Sequence, residues 1–277
     1  MHIIVCMKQV VDLQQIRMKH QTREPVLEGV PLLFGDFDKN ALEEAVRIGE
    51  SCEAHVTAVA VGSAKLQETI KEALAMGADE AVILTDAAFE EADAMGSARA
   101  LAAAIEKISP FDLILTGEGS ADEYSGQVPS RLAELLGLPQ IAYVRELKVL
   151  DGRIRAVRDL EDSREVVEAP LPAVVSVTGE INEPRLPPLT AILRAARKPL
   201  HQWSADDIGL DETVVGRTGS AHQVLSNLAP QQVRKAVIHR GPANEVVAKL
   251  VDDLIREGVG VKSQESRVQS PESRVES

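Results

Sequence analysis

His55–Leu84 reads HVTAVAVGSAKLQETIKEALAMGADEAVIL, and its periodicity decides the fold. Residues 55–61 form a short β-branched and alanine-rich run, the composition of a strand buried on both faces. Leu66, Ile70, Ala73 and Leu74 then recur at helical spacing, with Ser63 placed to cap the helix and Gly77 placed to end it. A second buried strand follows at 81–84. Strand, helix and strand in 30 residues is one parallel crossover unit.

The same alternation runs outward in both directions. Residues 3–7 and 113–116 are further apolar strands. Leu42, Ala45, Val46 and Gly49 give one helical stripe, Leu101, Ala104, Ile105 and Ile108 another, and Val128, Leu132, Leu135 and Leu136 a third, closed by Gly137. The expected fold is α/β: a Rossmann-like, doubly wound, mostly parallel sheet covered by helices on both faces.

From Tyr143 the pattern changes. Leu147–Val149, Asp151-Gly152 and Ile154–Val157 read as a hairpin with a tight turn. Val166–Val167 and Ala173–Val177 add strands, and all of these are expected to extend one edge in antiparallel fashion. Beyond Pro184, the run Pro184-Arg185-Leu186-Pro187-Pro188-Leu189 removes too many backbone donors for a central element. A short basic helix is expected over 191–198, few periodic elements over 199–244, and an amphipathic helix over 244–257. Residues 1–184 are thus read as a nucleotide-binding domain, 185–262 as a recognition loop and C-terminal docking arm, and 263–277, where ESRV occurs twice, as a disordered tail.

Composition narrows the function. A net charge of −13 opposes a nucleic-acid groove, which needs clustered Lys and Arg. No apolar run is long enough to span a bilayer, so no membrane insertion is expected. Cys6 and Cys52 lack metal-ligand spacing and fit a reducing, cytoplasmic setting. The six histidines show no HxH or HExxH pattern, and no metal site is expected. With one tryptophan and two tyrosines, the chain has few rings to sandwich a base. A bound nucleotide must be held mainly by backbone and small polar groups.

In a doubly wound sheet such a ligand sits beyond the carboxyl ends of the strands. Three loops qualify: the one after residues 3–7, Val61-Gly62-Ser63, and GEGSADEYSGQVPS at 117–130. The third is the strongest. It leads into a helix, whose free N–H groups and dipole favour a phosphate by roughly 0.3–1 kcal/mol per charge. Gly126 permits close approach, and Ser125 and Gln127 supply donors. Asp122 and Glu123 repel a phosphate if they point inward, and suit backbone amides or ribose hydroxyls. A solvated surface loop is the plain alternative. The segment is no dinucleotide fingerprint, since Asp122 stands where the third glycine belongs. Hydrolysis is disfavoured too, because no histidine lies near Ser125 in sequence.

Several separated stretches resemble the β subunit of electron transfer flavoproteins: VCMKQVVD at 5–12, GDFDKNALEEAVR at 35–47, ETIKEALAMGADEAV at 68–82, INEPRLPPL at 181–189, and the segment from Arg155 to Ser176. The resemblance spans roughly residues 1–260. It implies an α/β sheet of the adenine-nucleotide α-hydrolase type that pairs with an α subunit carrying the redox FAD. It further implies an electron carrier, not a stand-alone enzyme, with no catalytic side chain of its own. The chain is then expected to hold AMP, or a second FAD as in electron-bifurcating members, where NADH is the donor. The residues carried over as cofactor contacts are Cys6, Asp36, Phe37, Asp38, Val61, Gly62, Asp122, Ser125, Gly126, Gln127 and Val128. Val128 stands where AMP-type members have Thr, which favours FAD. Gly35-Asp36 replaces Asn-Pro, Leu13 replaces a Tyr, and Ser163 departs from the usual Gly or acid. Leu189 matches the leucine that anchors acyl-CoA dehydrogenase-type or quinone-linked partners. The competing class is an ATP-binding regulatory module of the stress-protein type, which needs neither the 181–189 loop nor a docking arm.

Overall fold

The computed structural model describes residues 1–231 and 235–259. They belong to two compact units, Met1–Ala229 and Pro230–Ser277.

Nine strands of the first unit form one sheet: β1 (His2–Met7), β2 (His55–Val61), β3 (Glu80–Leu84), β4 (Leu113–Gly117), β5 (Gln140–Leu150), β6 (Arg153–Asp159), β7 (Arg164–Pro170), β8 (Ala173–Val177) and β9 (Leu200–Trp203). Their spatial order is β7-β6-β5-β8-β4-β1-β2-β3-β9. The seven from β5 to β9 are parallel to their neighbours, while β6 and β7 continue the β5 edge antiparallel. The Asp151-Gly152 turn joins β5 to β6 as expected.

Alternation along the strands divides the core in two. Ile3, Val5, Ala58, Ile83, Leu113 and Val175 face α1 (Asp36–Cys52) and α2 (Leu66–Met76), meeting Leu42, Val46, Ile70 and Leu74. Ile4, Val59, Val82, Ile114 and Val174 face α3 (Ala94–Ile108) and α4 (Val128–Leu136), meeting Leu101, Ile105 and Leu132. Helices therefore cover both faces, the doubly wound arrangement that the continuous apolar strands require.

Three expectations need correction. β8 is not an antiparallel edge strand; it lies parallel between β5 and β4, buried along its whole length. Its unbroken apolar run suits only the sheet centre. β5 begins at Gln140, earlier than Leu147, because one long strand pairs first with β8 and then with β6. A register shift on β8 and a positive φ at Tyr143 mark the change of partner. β9 falls where few periodic elements are expected, yet it pairs in register with β3. Its polar His201 and Gln202 tolerate exposure at an edge, so no apolar run announces it. β9 lies within the first unit, which runs to Ala229.

The basic segment forms a short helix, α5 (Leu189–Ala195), and Lys198 donates to the Leu74 and Ala78 carbonyls at the end of α2. In the second unit, α6 (Ala243–Arg256) shows Val247, Leu250, Val251 and Leu254 partly exposed along one side. The tail expected to be disordered, residues 263–277, lies outside the described residues. No helix among the described residues is long and apolar enough to cross a membrane.

Candidate functional site

The chain winds β1, β2, β3 in one direction and then places β4 on the other side of β1. Loops leaving β1 and β4 therefore diverge at their carboxyl ends, and a crevice opens between them. It encloses about 400 Å³ and is lined by the ends of β1, β2 and β4, the loop 117–129, and residues 89–97 ahead of α3.

Nine of the eleven expected contacts line this cavity: Cys6, Asp38, Val61, Gly62, Asp122, Ser125, Gly126, Gln127 and Val128. Asp36 and Phe37 do not. Successive helical residues point about 100° apart, so only Asp38 of the first turn of α1 faces inward. Asp36 is exposed, and the Phe37 ring packs beside Tyr124 with centroids 5.8 Å apart. Close packing explains Gly117: an added Cβ would stand 2.7 Å from Asp38 Oδ1 and 2.8 Å from Phe37 Cβ. Any larger residue would push α1 off the sheet.

Sequence reading overlooked Lys8, Phe89, Thr116, Ser120 and the 91–94 turn, all of which line the crevice. Lys8 is the first residue beyond β1. Its backbone N–H donates to Asp38 Oδ2 at 2.8 Å, and its ammonium pairs with Asp122 at 2.9 Å and Glu123 at 3.5 Å. Among the described residues it is the only Lys or Arg of the lining. Burial pushes the Asp122 carboxyl up, but the Ser120 hydroxyl and Lys8 outweigh it and hold that carboxyl below its usual range. For Asp38 burial wins: its pKa is pushed up to about 7 despite donation from the Lys8 and Gly117 N–H groups. Burial, with Asp38 adding to it, raises the Cys6 thiol to about 12. Cys6 is thus a neutral wall residue and not a nucleophile.

Two helix N-termini reach the crevice, and only one is open. Asp93 closes α3, its Oδ1 accepting from Met95 N and Gly96 N at 2.9 Å each. The N-terminus of α4 has no side-chain cap. The Gln127 side-chain oxygen accepts from Arg131 at 2.6 Å, which leaves its amide nitrogen as the group that can donate. Gly126 turns the chain into α4 with φ +62°, a conformation that β-branched residues resist. Ser63 likewise does not cap α2 through its hydroxyl; its carbonyl accepts from Leu66 N instead.

The crevice lining also holds an unsatisfied group. Thr116, at the end of β4, is 4% exposed, and its Oγ1 has no hydrogen-bond partner among the described residues. A buried orphan hydroxyl costs roughly 1–3 kcal/mol, and Thr116 is also one of the residues that line the crevice. The lining fits a nucleotide: free amides at α4 for phosphate, Met7, Val61, Phe89, Leu101 and Val128 for an apolar ring, and Asp122 and Ser125 for hydroxyls.

A second feature lies outside the crevice. Leu189 opens α5 and is 71% exposed, with Leu186, Ile192 and Leu193 exposed beside it. It is not folded back onto the core. The loop before it is pinned. Arg185 donates to Glu43 Oε2 at 2.7 Å and to Glu50 Oε2 at 3.1 Å, and Asn40 donates to the Asn182 carbonyl at 2.7 Å.

A family model described as the electron transfer flavoprotein domain matches residues 27–208. Similar relatives include the electron transfer flavoprotein subunit beta of Thermoanaerobacterium thermosaccharolyticum, 38% identical over 92% of this chain and 98% of that protein. Its counterpart from Clostridium acetobutylicum is 36% identical over 93% and 99%. The caffeyl-CoA reductase-Etf complex subunit CarD of Acetobacterium woodii is 36% identical over 92% and 98%.

Proposed function

The chain belongs to the electron transfer flavoprotein family as a β subunit, and from that premise we propose that its crevice holds an adenine nucleotide, FAD rather than AMP, while the chain pairs with an α subunit to carry electrons. The observation that carries the reading is the coincidence of an uncapped α4 N-terminus with the orphan Thr116 hydroxyl in one cavity at the switch point.

Charge favours the dinucleotide. A terminal monophosphate concentrates about −1.5 to −2 at one point near neutral pH. The crevice sets Asp38, Asp122 and Glu123 around a single lysine that is already paired. Two bridging phosphates spread their charge and need no second cation. Bound FAD supplies exchange of electrons in pairs or singly, the property that bifurcation from NADH requires. The chain's own groups bind and orient. The amides following Gly126 receive phosphate, Thr116 donates to or accepts from a buried polar edge, and Val61, Phe89 and Leu101 keep water from the ring. Leu189, held out by the prolines and by Arg185, is the anchor for an acyl-CoA dehydrogenase-type or quinone-linked partner. A preformed apolar loop loses little entropy on docking.

The test is thermal denaturation of the nucleotide-stripped complex with FAD or with AMP. A ligand at 100 times its dissociation constant adds about 2.7 kcal/mol. A rise in melting temperature with FAD that Gly126→Val reduces to the share contributed by the α-subunit site supports the reading. A rise with AMP alone replaces FAD by AMP, and no rise with either removes the nucleotide from this crevice.

A further inference from the structure

At the opposite, amino-terminal end of the sheet, four adjacent parallel strands each deliver a potential metal ligand to the same face. His2 opens β1 and is the register partner of His55, the first residue of β2. Two residues along β2, Thr57 partners Glu80, the first residue of β3. Two residues beyond Glu80, Val82 partners His201 on β9. Side chains two apart on a strand share a face. All four therefore point the same way, towards the layer of α3.

Three of the side chains meet there, and His201 approaches from the edge. Ligand atoms of His2, His55 and Glu80 lie within 4.8 Å of one another. His55 Nε2 stands 3.3 Å from Glu80 Oε1, the edge length of a tetrahedron with metal–ligand bonds of about 2.0–2.1 Å. His201 Nε2 stands 3.8 Å from Glu80 Oε2, on the other carboxylate oxygen.

The surroundings prepare the site. His2 Nδ1 is 2.9 Å from the Pro110 carbonyl, which can only accept, so Nδ1 carries a proton and Nε2 is the nitrogen turned towards the cluster. This is the outer-shell arrangement that orients a ligating imidazole. Nε2 rests 2.8 Å from Thr57 Oγ1, whose single hydroxyl proton is donated to Glu80 Oε1 at 3.0 Å, so a bound metal replaces the Thr57 contacts of both ligands. Glu80 has no Lys or Arg within ion-pairing reach among the described residues; its charged-group neighbours are imidazoles. A half-buried carboxylate facing three histidines and no fixed cation lacks a counter-charge.

We propose that His2, His55 and Glu80, with His201 as the fourth ligand, form a binding site for a divalent transition metal of the Zn²⁺ type. The donor set is borderline-soft nitrogen with one carboxylate, which selects Zn²⁺ and its late first-row neighbours over Mg²⁺ or Ca²⁺. The ion ties the starts of β1, β2, β3 and the edge strand β9 together. No short motif marks it, because strand register and not sequence spacing assembles the ligands.

The experiment is calorimetric titration of the full chain, in its purified complex and stripped with EDTA, with Zn²⁺ and separately with Co²⁺, whose visible bands report four-coordination. Wild type is expected to bind one Zn²⁺ in this chain and to melt higher when loaded. Glu80→Gln and His55→Gln lower that affinity by about tenfold or more and erase the Co²⁺ bands, as removing a ligand must. His20→Gln, on an exposed loop, leaves both unchanged. His201→Gln, at an exposed edge, serves as a further ligand variant if Glu80→Gln fails to fold. Wild type without Zn²⁺ binding, or binding untouched by His55→Gln and either companion variant, overturns the proposal.

Discussion

Replacing Arg185 with Met keeps the aliphatic stem and removes the guanidinium that pins the 181–189 loop. Glu43 is only 2% exposed and takes its charge compensation from two arginines: Arg185 through Nε at 2.7 Å and Nη2 at 3.2 Å, and Arg47 through Nε at 2.6 Å. Stranding a buried carboxylate completely costs about 3–5 kcal/mol. Arg47 remains, which lowers that figure, while the Glu50 half of the contact is exposed and worth under about 1 kcal/mol. The expected loss is therefore about 2–3 kcal/mol, or roughly 5–10 °C in melting temperature for a chain of this size. The pH dependence identifies the cause. Burial pushes the Glu43 carboxyl up, but Arg185 and Arg47 outweigh it and hold it below 4.5. A depressed carboxyl contributes stability above its unfolded pKa and loses it as pH falls through the folded one. The gap between wild type and Arg185→Met is thus full at neutral pH and narrows below about 4.5. Thermal scans from acid to neutral pH measure it, and Glu43→Gln in the Arg185→Met background should be close to neutral. A gap under about 1 kcal/mol at pH 7, or one unchanged in acid, refutes the ion-pair account in favour of lost packing.

Three further expectations concern the crevice. Gly126→Val forces a β-branched residue to φ +62°, a strain of about 1–3 kcal/mol; nucleotide retained after gel filtration should drop while the α-subunit FAD stays, whereas Gln127→Ala alone, which severs only the Arg131 contact, should change little. Thr116→Val removes the orphan hydroxyl, so the nucleotide-free protein should hold or gain stability while nucleotide affinity falls about tenfold; unchanged affinity would take Thr116 out of the contact set. Asp38, pushed up to about 7 by burial, binds its proton in the folded state where the unfolded chain has lost it. Wild-type stability should therefore fall as pH rises from about 4 to about 7 and then level off, a decline that Asp38→Asn flattens and that parallel melting curves would detect.

Much of the fold is legible because the parallel strands are buried on both faces, so composition alone marks them. β9 and the first half of β5 are not, since an edge strand and a strand with two partners carry mixed polarity whose meaning depends on neighbours distant in sequence. The loop 117–129 is readable as a strand-to-helix turn with glycines. Lys8 and the 89–97 segment have no motif, yet both leave carboxyl ends of strands beside the switch point. The loop that Lys8 begins already counts among the three candidates, and extending the rule to the end of β3 finds the 89–97 segment. Asp36 and Phe37 show the limit of transferring a motif whole, because a helix turns neighbouring residues away from one another. The His2, His55 and Glu80 cluster is invisible until register aligns its strands.

Acid extraction of the purified heterodimer, with FAD and AMP counted per complex, bears most directly on the claim that this chain cradles an adenylate of its own. The expected outcome is two FAD per complex, one of them lost with Gly126→Val. A single FAD with no AMP, the same in wild type and variant, would contradict it.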